Sequence, residues 1–368
     1  MSSIWDSRFS DDGGRAVASY QSRRDDETVD IGDILAATKS ELPYIGPEQL
    51  RFHGVLGAGS SFKVNREVYT KPITNPSPYF VAVKHMLLPP MSTSGQDINR
   101  RRQLYGNVMR EIRVLMHPPL RDHCCIIPAL AYGWTNHPTE GANPYLIVDY
   151  SDHGTLNRYL RRCNIPLYER RELALDVAFG IKVLHDSKII HGDVKPENIL
   201  VFDSANDYSE RPQTAKIADF GSSLFEEDVE KNSAPYLGTP KYNAPEIEGR
   251  GNTHIIEDMP KMSQYKKADV YSFGLLLWET VKNGVDFIDE LWLGTEETDL
   301  QFLGRIYEAE KDGMLQKANT FCEKMRNDGA KPSLLDPIQE TLRLSLRDDA
   351  SLRANIDGIV ESLARGSE

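Results

Sequence analysis

The hydrophobic pattern changes character near Gly154, and this change constrains the fold more than any other feature of the sequence. Before Gly154, short runs rich in β-branched and aromatic residues alternate with Gly, Pro and Asn, as in an antiparallel sheet. These runs lie at residues 52–68, 79–85 and 126–150. After Gly154 the spacing is helical, and one core helix is marked by Leu173, Val177, Ile181 and Leu184. The pattern predicts an α+β fold with a small β-rich lobe followed by a larger, mainly helical lobe.

One helix is expected inside the β-rich lobe. Its apolar face is formed by Leu104, Val108, Ile112 and Leu115, which follow one another at intervals of four, four and three residues. Glu111 shares this inner face of the predicted helix.

Charge and composition exclude several classes of protein. The chain has 368 residues, with 43 Lys and Arg against 55 Asp and Glu, and a formal net charge of −12. An acidic surface is repelled by phosphate backbones and anionic lipid, which argues against nucleic-acid and membrane partners. A hydrophobic content of 40% and a charged content of 27% are typical of an ordinary globular protein.

The cysteines and the apolar stretches bear on the compartment. There are four cysteines, without the paired spacings of a secreted disulfide scaffold, and the neighbours Cys124 and Cys125 are expected to be small buried hydrophobes. No apolar stretch approaches the roughly 20 residues needed to span a bilayer, and the N-terminus does not resemble a signal peptide. The sequence therefore predicts a cytoplasmic protein, with the nucleus not excluded.

The first 48 residues are predicted to be an acidic, disordered extension. Residues 1–45 contain five Lys or Arg and nine Asp or Glu, a composition that buries little apolar surface. A short helix at residues 31–39 is compatible with the pattern.

Two features of the β-rich lobe point to phosphate binding. Residues 56–64 read Leu-Gly-Ala-Gly-Ser-Ser-Phe-Lys-Val, and Gly57 and Gly59 let the backbone of this turn approach a phosphate chain. A dinucleotide-binding fold would need a helix directly after the glycines, whereas the next residues have the pattern of a strand. Lys84 ends an apolar strand, where its side chain is placed to reach nucleotide phosphates, and Glu111 is its natural ionic partner.

Further motifs follow the core helix in a defined order. They read His-Gly-Asp-Val-Lys-Pro-Glu-Asn at 191–198, Ile-Ala-Asp-Phe-Gly at 217–221, and Gly-Thr-Pro-Lys-Tyr-Asn-Ala-Pro-Glu at 238–246. Ala-Asp-Val-Tyr-Ser-Phe-Gly comes next, and Arg353 ends the series. Together with the glycine turn, Lys84 and Glu111, the series resembles the eukaryotic protein kinase family, over about residues 50–364.

The resemblance implies a bilobal kinase domain at residues 49–364, with an N-lobe at 49–148 and a C-lobe at 149–364. It implies ATP and Mg²⁺ as cofactors and a protein as phosphate acceptor. Lys84, held by Glu111, would contact the α and β phosphates, and Asn198 and Asp219 would bind the metal. Asp193 would accept the proton of the acceptor hydroxyl.

Other site residues are implied in the same way. Lys195 would neutralise the transferring phosphate. The adenine would lie among Val64, Ala82 and Leu200, and the hinge backbone at Asp149 and Ser151 would bind its edge. Two interactions are expected to be structural: an ion pair between Glu246 and Arg353, and bonds from Asp269 to the catalytic loop.

Lys195 and Thr239 resemble their counterparts in serine/threonine kinases rather than in tyrosine kinases. The chain departs from the family pattern at Phe62, which replaces the third glycine of the turn, and at Gly192, which replaces the Arg before the catalytic Asp. The second departure resembles the class that lacks this Arg-Asp pair. A phosphate in the loop that follows, on Ser222, Ser223, Ser233 or Tyr236, would lack its usual cationic partner.

Two other functions stay open from the residues alone. A pseudokinase that binds ATP as a scaffold is one, motivated by Phe62 and Gly192, although such proteins usually lose Lys84, Asp193 or Asp219. A small-molecule phosphotransferase is the other, because those enzymes also carry His-Gly-Asp with a following Asn. They resemble this chain less, since they lack the Gly-Thr and Ala-Pro-Glu segment.

Overall fold

A computed structural model describes most of the chain beyond residue 41. The described residues are 32–34, 38, 42–59, 61–70, 79–89, 95–137, 141–204, 211–231, 236–249, 261–288, 298–309 and 311–365. They fall into two compact units, which are considered separately. The first consists of described residues up to 122 together with 127–151, and the second of 123–126, 152–204 and the residues from 211 onward.

The first unit is built on a sheet of five antiparallel strands, which are β1 (Leu50–Ala58), β2 (Phe62–Tyr69), β3 (Tyr79–Met86), β4 (Ala129–His137) and β5 (Gly141–Asp149). Their order in the sheet is β1-β2-β3-β5-β4. The β-rich runs predicted from the sequence are confirmed.

One long helix, α1 (Gly95–Leu115), belongs to this unit and is followed by the single turn α2 (Pro118–Arg121). The predicted apolar face of α1 is buried: Leu104, Val108, Ile112 and Leu115 are at most 5% exposed. Glu111 lies on the same face and is 2% exposed. The periodicity therefore predicted both the helix and its inward side.

The second unit is mainly helical. Its described helices are α3 (Leu156–Arg162), α4 (Leu167–Asp186), α5 (Glu226–Glu230), α6 (Lys261–Val281), α7 (Asp299–Ala309), α8 (Gly313–Asn327), α9 (Pro332–Ser345) and α10 (Ile356–Ala364). Two small sheets pair β6 (Ile189–Ile190) with β9 (Leu224–Phe225), and β7 (Ile199–Asp203) with β8 (Gln213–Ile217). The predicted α+β fold, with a β-rich lobe and a larger helical lobe, is confirmed.

Two helices form the centre of the second unit. Leu173, Val177, Ile181 and Leu184 of α4 are at most 3% exposed, as the sequence predicts. Every residue of α6 from 268 to 281 is buried, so this helix is enclosed on all sides over most of its length.

Several predictions about the remaining chain have mixed outcomes. Cys125 is buried, but Cys124 is exposed because it lies in a turn, so its predicted burial is wrong. All four cysteines are described, and none forms a disulfide.

Within the predicted N-terminal helix, Gly32 to Ile34 and Thr38 are helical, and its other positions lie outside the described residues. Among the helices that the structure describes, none is long and apolar enough to cross a membrane.

Candidate active site

Lys84 and Glu111 form a buried ion pair in the first unit. Lys84 lies on β3 opposite Val64 of β2, and its ammonium donates to Glu111 Oε1. The two side chains are 10% and 2% exposed, so the pair is largely removed from water. The predicted ionic partnership of these two residues is confirmed.

Phe62 packs against the ammonium of this pair. It is the first residue of β2, its side chain is buried, and its ring centroid lies 4.7 Å from Lys84 Nζ. A cation above an aromatic face is attracted to the ring quadrupole. The aromatic residue that replaces the third glycine therefore lies beside the lysine, not at an exposed loop tip.

The glycine turn joins β1 to β2. The strands stay paired as far as Ala58 and Lys63, and Gly59 donates its N–H to Phe62 O over 2.8 Å. A side chain added at Gly57 or Gly59 would meet no atom within 4 Å. The space above both glycines is open, so a ligand could approach this backbone closely.

In the second unit, Asp193 is held by three side chains. Thr239 donates its hydroxyl hydrogen to Asp193 Oδ1 over 2.7 Å. Lys195 Nζ and Asn198 Nδ2 donate to the other oxygen, Oδ2, over 2.7 and 3.0 Å. Lys195 also donates to the Thr239 hydroxyl oxygen, over 2.7 Å. Both carboxylate oxygens are thereby oriented, which suits a group that must accept a proton from one direction.

Asp219 lies directly beyond β8 in a left-handed backbone conformation, with φ of 64°. Non-glycine residues adopt this conformation at a cost of roughly 1–2 kcal/mol, so the surrounding structure must hold it. Ala218 donates its N–H to Asn198 O over 2.8 Å, and Phe220 is fully buried against the His191 ring. These contacts fix the backbone on both sides of Asp219.

Asp269 of α6 binds the backbone of the catalytic loop. Its carboxylate accepts the N–H groups of His191 and Gly192 over 2.9 and 3.0 Å. His185 Nε2 lies 2.9 Å from one of its oxygens, and the Tyr236 hydroxyl donates to the other over 3.2 Å. Burial would raise the pKa of Asp269, but the hydrogen bonds from His185 and Gly192 and the neighbouring imidazoles of His185 and His191 lower it overall. The predicted bracing role is confirmed.

Gly192 occupies a position that favours glycine. Its φ is 77°, and an added Cβ would lie 2.6 Å from the carbonyl oxygen of Ser222. A residue with a side chain would therefore have to displace the backbone at Ser222.

The sites considered for loop phosphorylation differ in access. Ser223 is fully buried and donates to His191 O over 3.2 Å. Tyr236 is buried with its hydroxyl against the Asp269 carboxylate, and burial raises the pKa of this hydroxyl well above its ordinary value. Ser222 is half-buried, and Ser233 lies outside the described residues. Ser223 and Tyr236 are therefore closed to modification in this conformation.

Glu246 and Arg353 form the predicted ion pair. Two parallel hydrogen bonds of 2.7 Å join Arg353 Nη1 and Nη2 to the two carboxylate oxygens. The arginine side chain has no exposed area. This geometry is the strong, bidentate form of a carboxylate–guanidinium contact, and the predicted pair is confirmed.

Of the residues expected around the adenine, two lie on strands of the first unit and one lies on a strand of the second unit. Val64 is on β2, Ala82 on β3 faces Val148 of β5, and Leu200 is on β7. The hinge residues Asp149 and Ser151 lie at the end of β5 and just beyond it, and Asp149 Oδ1 accepts the Tyr150 N–H over 3.1 Å. Their roles toward a nucleotide remain predictions.

The part of the chain that carries these motifs also matches a known protein family. The sequence model of the protein kinase domain matches residues 50–361. The chain belongs to the protein kinase family. The ordered contacts of this kinase domain, from the Lys84–Glu111 pair to the Glu246–Arg353 pair, lie within the matched residues.

Individual relatives match parts of the kinase domain. Serine/threonine-protein kinase CTR1 of Arabidopsis thaliana is 34% identical over 147 residues, which are 38% of this chain and 16% of the relative. Mitogen-activated protein kinase kinase kinase 10 of Mus musculus is 28% identical over 257 residues, 67% of this chain and 23% of the relative. Serine/threonine/tyrosine-protein kinase HT1 of Arabidopsis thaliana is 32% identical over 137 residues, 36% and 30% of the two chains. The matches thus span less than a third of each of these relatives.

Proposed function

We propose that this chain is a protein serine/threonine kinase, which transfers the γ-phosphate of ATP to serine and threonine hydroxyls of a protein. The observation that carries the proposal is the set of hydrogen bonds joining Asp193, Lys195 and Thr239. The names of the relatives support the same activity. The acceptor oxygen attacks the γ-phosphorus, the bond to the bridging oxygen of ADP breaks, and the hydroxyl proton moves to Asp193.

Lys195 and Thr239 both act on this step. Lys195 lies between Asp193 and the Thr239 hydroxyl, where its charge offsets that of the transferring phosphoryl group. Thr239 fixes the oxygen of Asp193 that Lys195 does not contact. A short serine or threonine side chain brings its hydroxyl to this carboxylate, whereas the longer tyrosine side chain needs an acceptor backbone that lies farther from Asp193.

Nucleotide binding is assigned to the glycine turn and the lysine pair. Gly57 and Gly59 offer open backbone to the phosphates, and Lys84, held by Glu111, neutralises the α and β phosphates. The adenine contacts Val64, Ala82 and Leu200, and its edge binds the hinge backbone at Asp149 and Ser151.

Mg²⁺ is the proposed metal. The family implies a divalent ion, and the amide oxygen of Asn198 and the carboxylate of Asp219 are the hard donors that Mg²⁺ prefers. Ala218, the residue before Asp219, donates its backbone N–H to Asn198 O, which holds the two segments side by side and supports a shared ligand. When bound, the ion neutralises charge on the phosphate oxygens.

We also propose that loop phosphorylation does not activate this kinase, because position 192 is glycine and not arginine. Gly192 adds no cation, and its contact with Ser222 O leaves no room for a side chain. The buried hydroxyls of Ser223 and Tyr236 support the same reading.

The boundaries and the compartment are also proposals. We place the kinase domain at residues 49–364 and treat residues 1–48 as an N-terminal extension, whose described residues from 42 to 45 pack on the first unit. Four cysteines without a disulfide support a reducing compartment such as the cytoplasm.

ATP turnover, measured with and without a generic protein acceptor, tests the activity. A protein kinase consumes ATP in proportion to added acceptor, and Asp193→Asn removes this consumption. A pseudokinase shows no acceptor-dependent turnover, and a small-molecule phosphotransferase ignores protein. Either of those two results would overturn the proposal.

A further inference from the structure

A short segment before β1 packs into the first unit instead of standing apart from it. We call the described residues 32–34, 38 and 42–45 the strap. Ile34, Thr38, Leu42 and Ile45 of the strap are 2%, 1%, 9% and 4% exposed. Such burial is not typical of an acidic tail in solvent, so the strap is part of the folded lobe.

The C-terminal end of the strap extends the sheet at its edge. Tyr132 of the edge strand β4 donates its N–H to Pro43 O over 3.1 Å, and Ile45 returns an N–H to Tyr132 O over 2.9 Å. The Tyr145 hydroxyl donates to Ile45 O over 2.7 Å. A Cβ at the neighbouring Gly133 would overlap that same carbonyl oxygen, so glycine permits the close approach.

Ile45 also joins the core on the strap side of the sheet. It belongs to a buried cluster with residues of three strands, namely Val81, Val83, Ala131, Tyr145 and Ile147. The strap is therefore fastened to the sheet both by backbone hydrogen bonds and by a buried side chain.

The N-terminal end of the strap meets helix α1 beside the ion pair. Ile34 and Thr38 line one small pocket together with Val108 and Ile112 of α1. Lys84 and Glu111 line the same pocket. Residues of the strap thus lie around the same pocket as the part of α1 that presents Glu111.

We propose that the strap is a positioning element for Glu111, with Ile34 as its central residue. Glu111 reaches Lys84 only while α1 keeps its position and its rotation about its own axis, and Ile34 lines the pocket beside that face of the helix. Because the strap is fixed to β4 by hydrogen bonds, it restrains the position of α1. This restraint keeps the Glu111 carboxylate in contact with the Lys84 ammonium. This role deepens the proposed kinase function and rests on it.

The test compares two truncations of a buried isoleucine in the full-length chain. Ile34→Ala removes most of the side chain that lines the pocket beside α1, and Ile359→Ala, at a fully buried position of α10, removes the same atoms from the second unit. We expect Ile34→Ala to lower kcat about tenfold while the Ile359→Ala enzyme, assayed well below its unfolding temperature, keeps kcat within about twofold. Equal losses of kcat in the two variants would overturn the proposal, because they would indicate general destabilisation.

A double variant separates positioning from packing. In a Glu111→Gln background, the ion pair that the strap positions is already lost, so Ile34→Ala should lower kcat no further. A full additional loss in that background would contradict action through Glu111. If Ile34→Ala does not fold, Ile34→Val carries the same comparison with a smaller expected loss.

A readout independent of catalysis keeps this proposal distinct from the proposed function. The rate at which an amine-reactive acylating reagent labels Lys84, followed by mass spectrometry, should rise about fivefold in Ile34→Ala and stay unchanged in Ile359→Ala. An unchanged rate in Ile34→Ala would overturn the strap proposal even in an active enzyme. A wild-type chain without phosphoryl transfer would overturn the proposed function, and the labelling would still decide on the strap.

Discussion

The hydroxyl of Thr239 donates to Asp193 Oδ1 over 2.7 Å, across a separation of 46 positions in the sequence. The same hydroxyl oxygen accepts from Lys195, so one threonine connects the proposed base with its cationic neighbour. The segment that carries Thr239 is therefore coupled directly to the chemistry of Asp193.

Removal of this hydroxyl should lower catalysis without unfolding the chain. In Thr239→Ala, Asp193 keeps Lys195 and Asn198 but loses the bond that fixes Oδ1. We expect kcat to fall about tenfold, a fraction of what a whole general base contributes. Steady-state kinetics with a protein acceptor measure this loss, and Thr239→Ser is the matched control that should retain most activity. Equal kcat for the alanine and serine variants would contradict the assignment.

Substitution of Lys84 should affect both activity and stability. The sequence alone predicts that Lys84→Met abolishes transfer with little change in stability. The burial of the pair changes that expectation, because the variant leaves the Glu111 carboxylate buried without its ammonium. We expect a loss of about 3–5 kcal/mol in the free energy of unfolding, measured by denaturant titration.

The double variant Lys84→Met with Glu111→Leu is the control for this prediction. It replaces both charges with apolar groups and should recover most of the lost stability while remaining inactive. Recovery of activity in the double variant would show that the lysine does not act on phosphates.

Glu279 should make stability depend on pH near neutrality. It is 2% exposed and accepts a hydrogen bond from Tyr242, and burial raises its pKa to about 7. An acidic group whose pKa is raised by folding makes its full contribution to stability at pH values below its ordinary pKa, where it is protonated in both states. This contribution is lost as the pH rises through the pKa of the group in the folded state. Glu279 should thus lower the free energy of unfolding by at most about 3 kcal/mol between its ordinary pKa and neutral pH.

Denaturant titrations across that pH range measure this effect. Glu279→Gln cannot titrate, so its stability should decline less steeply than that of the wild type over the same interval. Asp348, whose pKa burial raises to about 6, contributes equally to both proteins and cancels in the comparison. Identical pH slopes for the two proteins would contradict the raised pKa of Glu279.

Loop phosphorylation should change activity little. Gly192 supplies no cation for a loop phosphate, and Ser223 and Tyr236 are buried. We expect phosphatase-treated and autophosphorylated enzyme to differ by less than about tenfold in rate on an external substrate, or about 1.4 kcal/mol of barrier. A larger difference that disappears in Ser222→Ala would show that another basic group replaces the missing arginine.

The sequence predicted those parts of the site that are indicated by a helical spacing of apolar residues or by a sequence motif. The helical spacing around Ile112 placed Glu111 on an inner face, and the ordered motifs placed Asp193 and Asp269. It did not reveal contacts between distant positions, such as the Tyr236 hydroxyl on Asp269, because tertiary packing alone brings those groups together.

Phe62 and the strap show the same limit. Phe62 stands at a glycine position of the family pattern, and the sequence does not reveal that its ring is buried beside Lys84. The strap lies in a stretch of acidic composition, and average composition does not reveal that Ile34 and Ile45 are individually buried. A search for isolated apolar residues within that stretch would have found both.

The identity of the phosphorylated residue tests the central claim most directly. The chain is incubated with labelled ATP, Mg²⁺ and a protein acceptor, and the product is hydrolysed for phosphoamino-acid analysis beside an Asp193→Asn control. We predict phosphoserine or phosphothreonine, with the signal reduced by about 10²- to 10⁴-fold in the variant. Predominant phosphotyrosine, or a signal that Asp193→Asn leaves unchanged, would contradict the account.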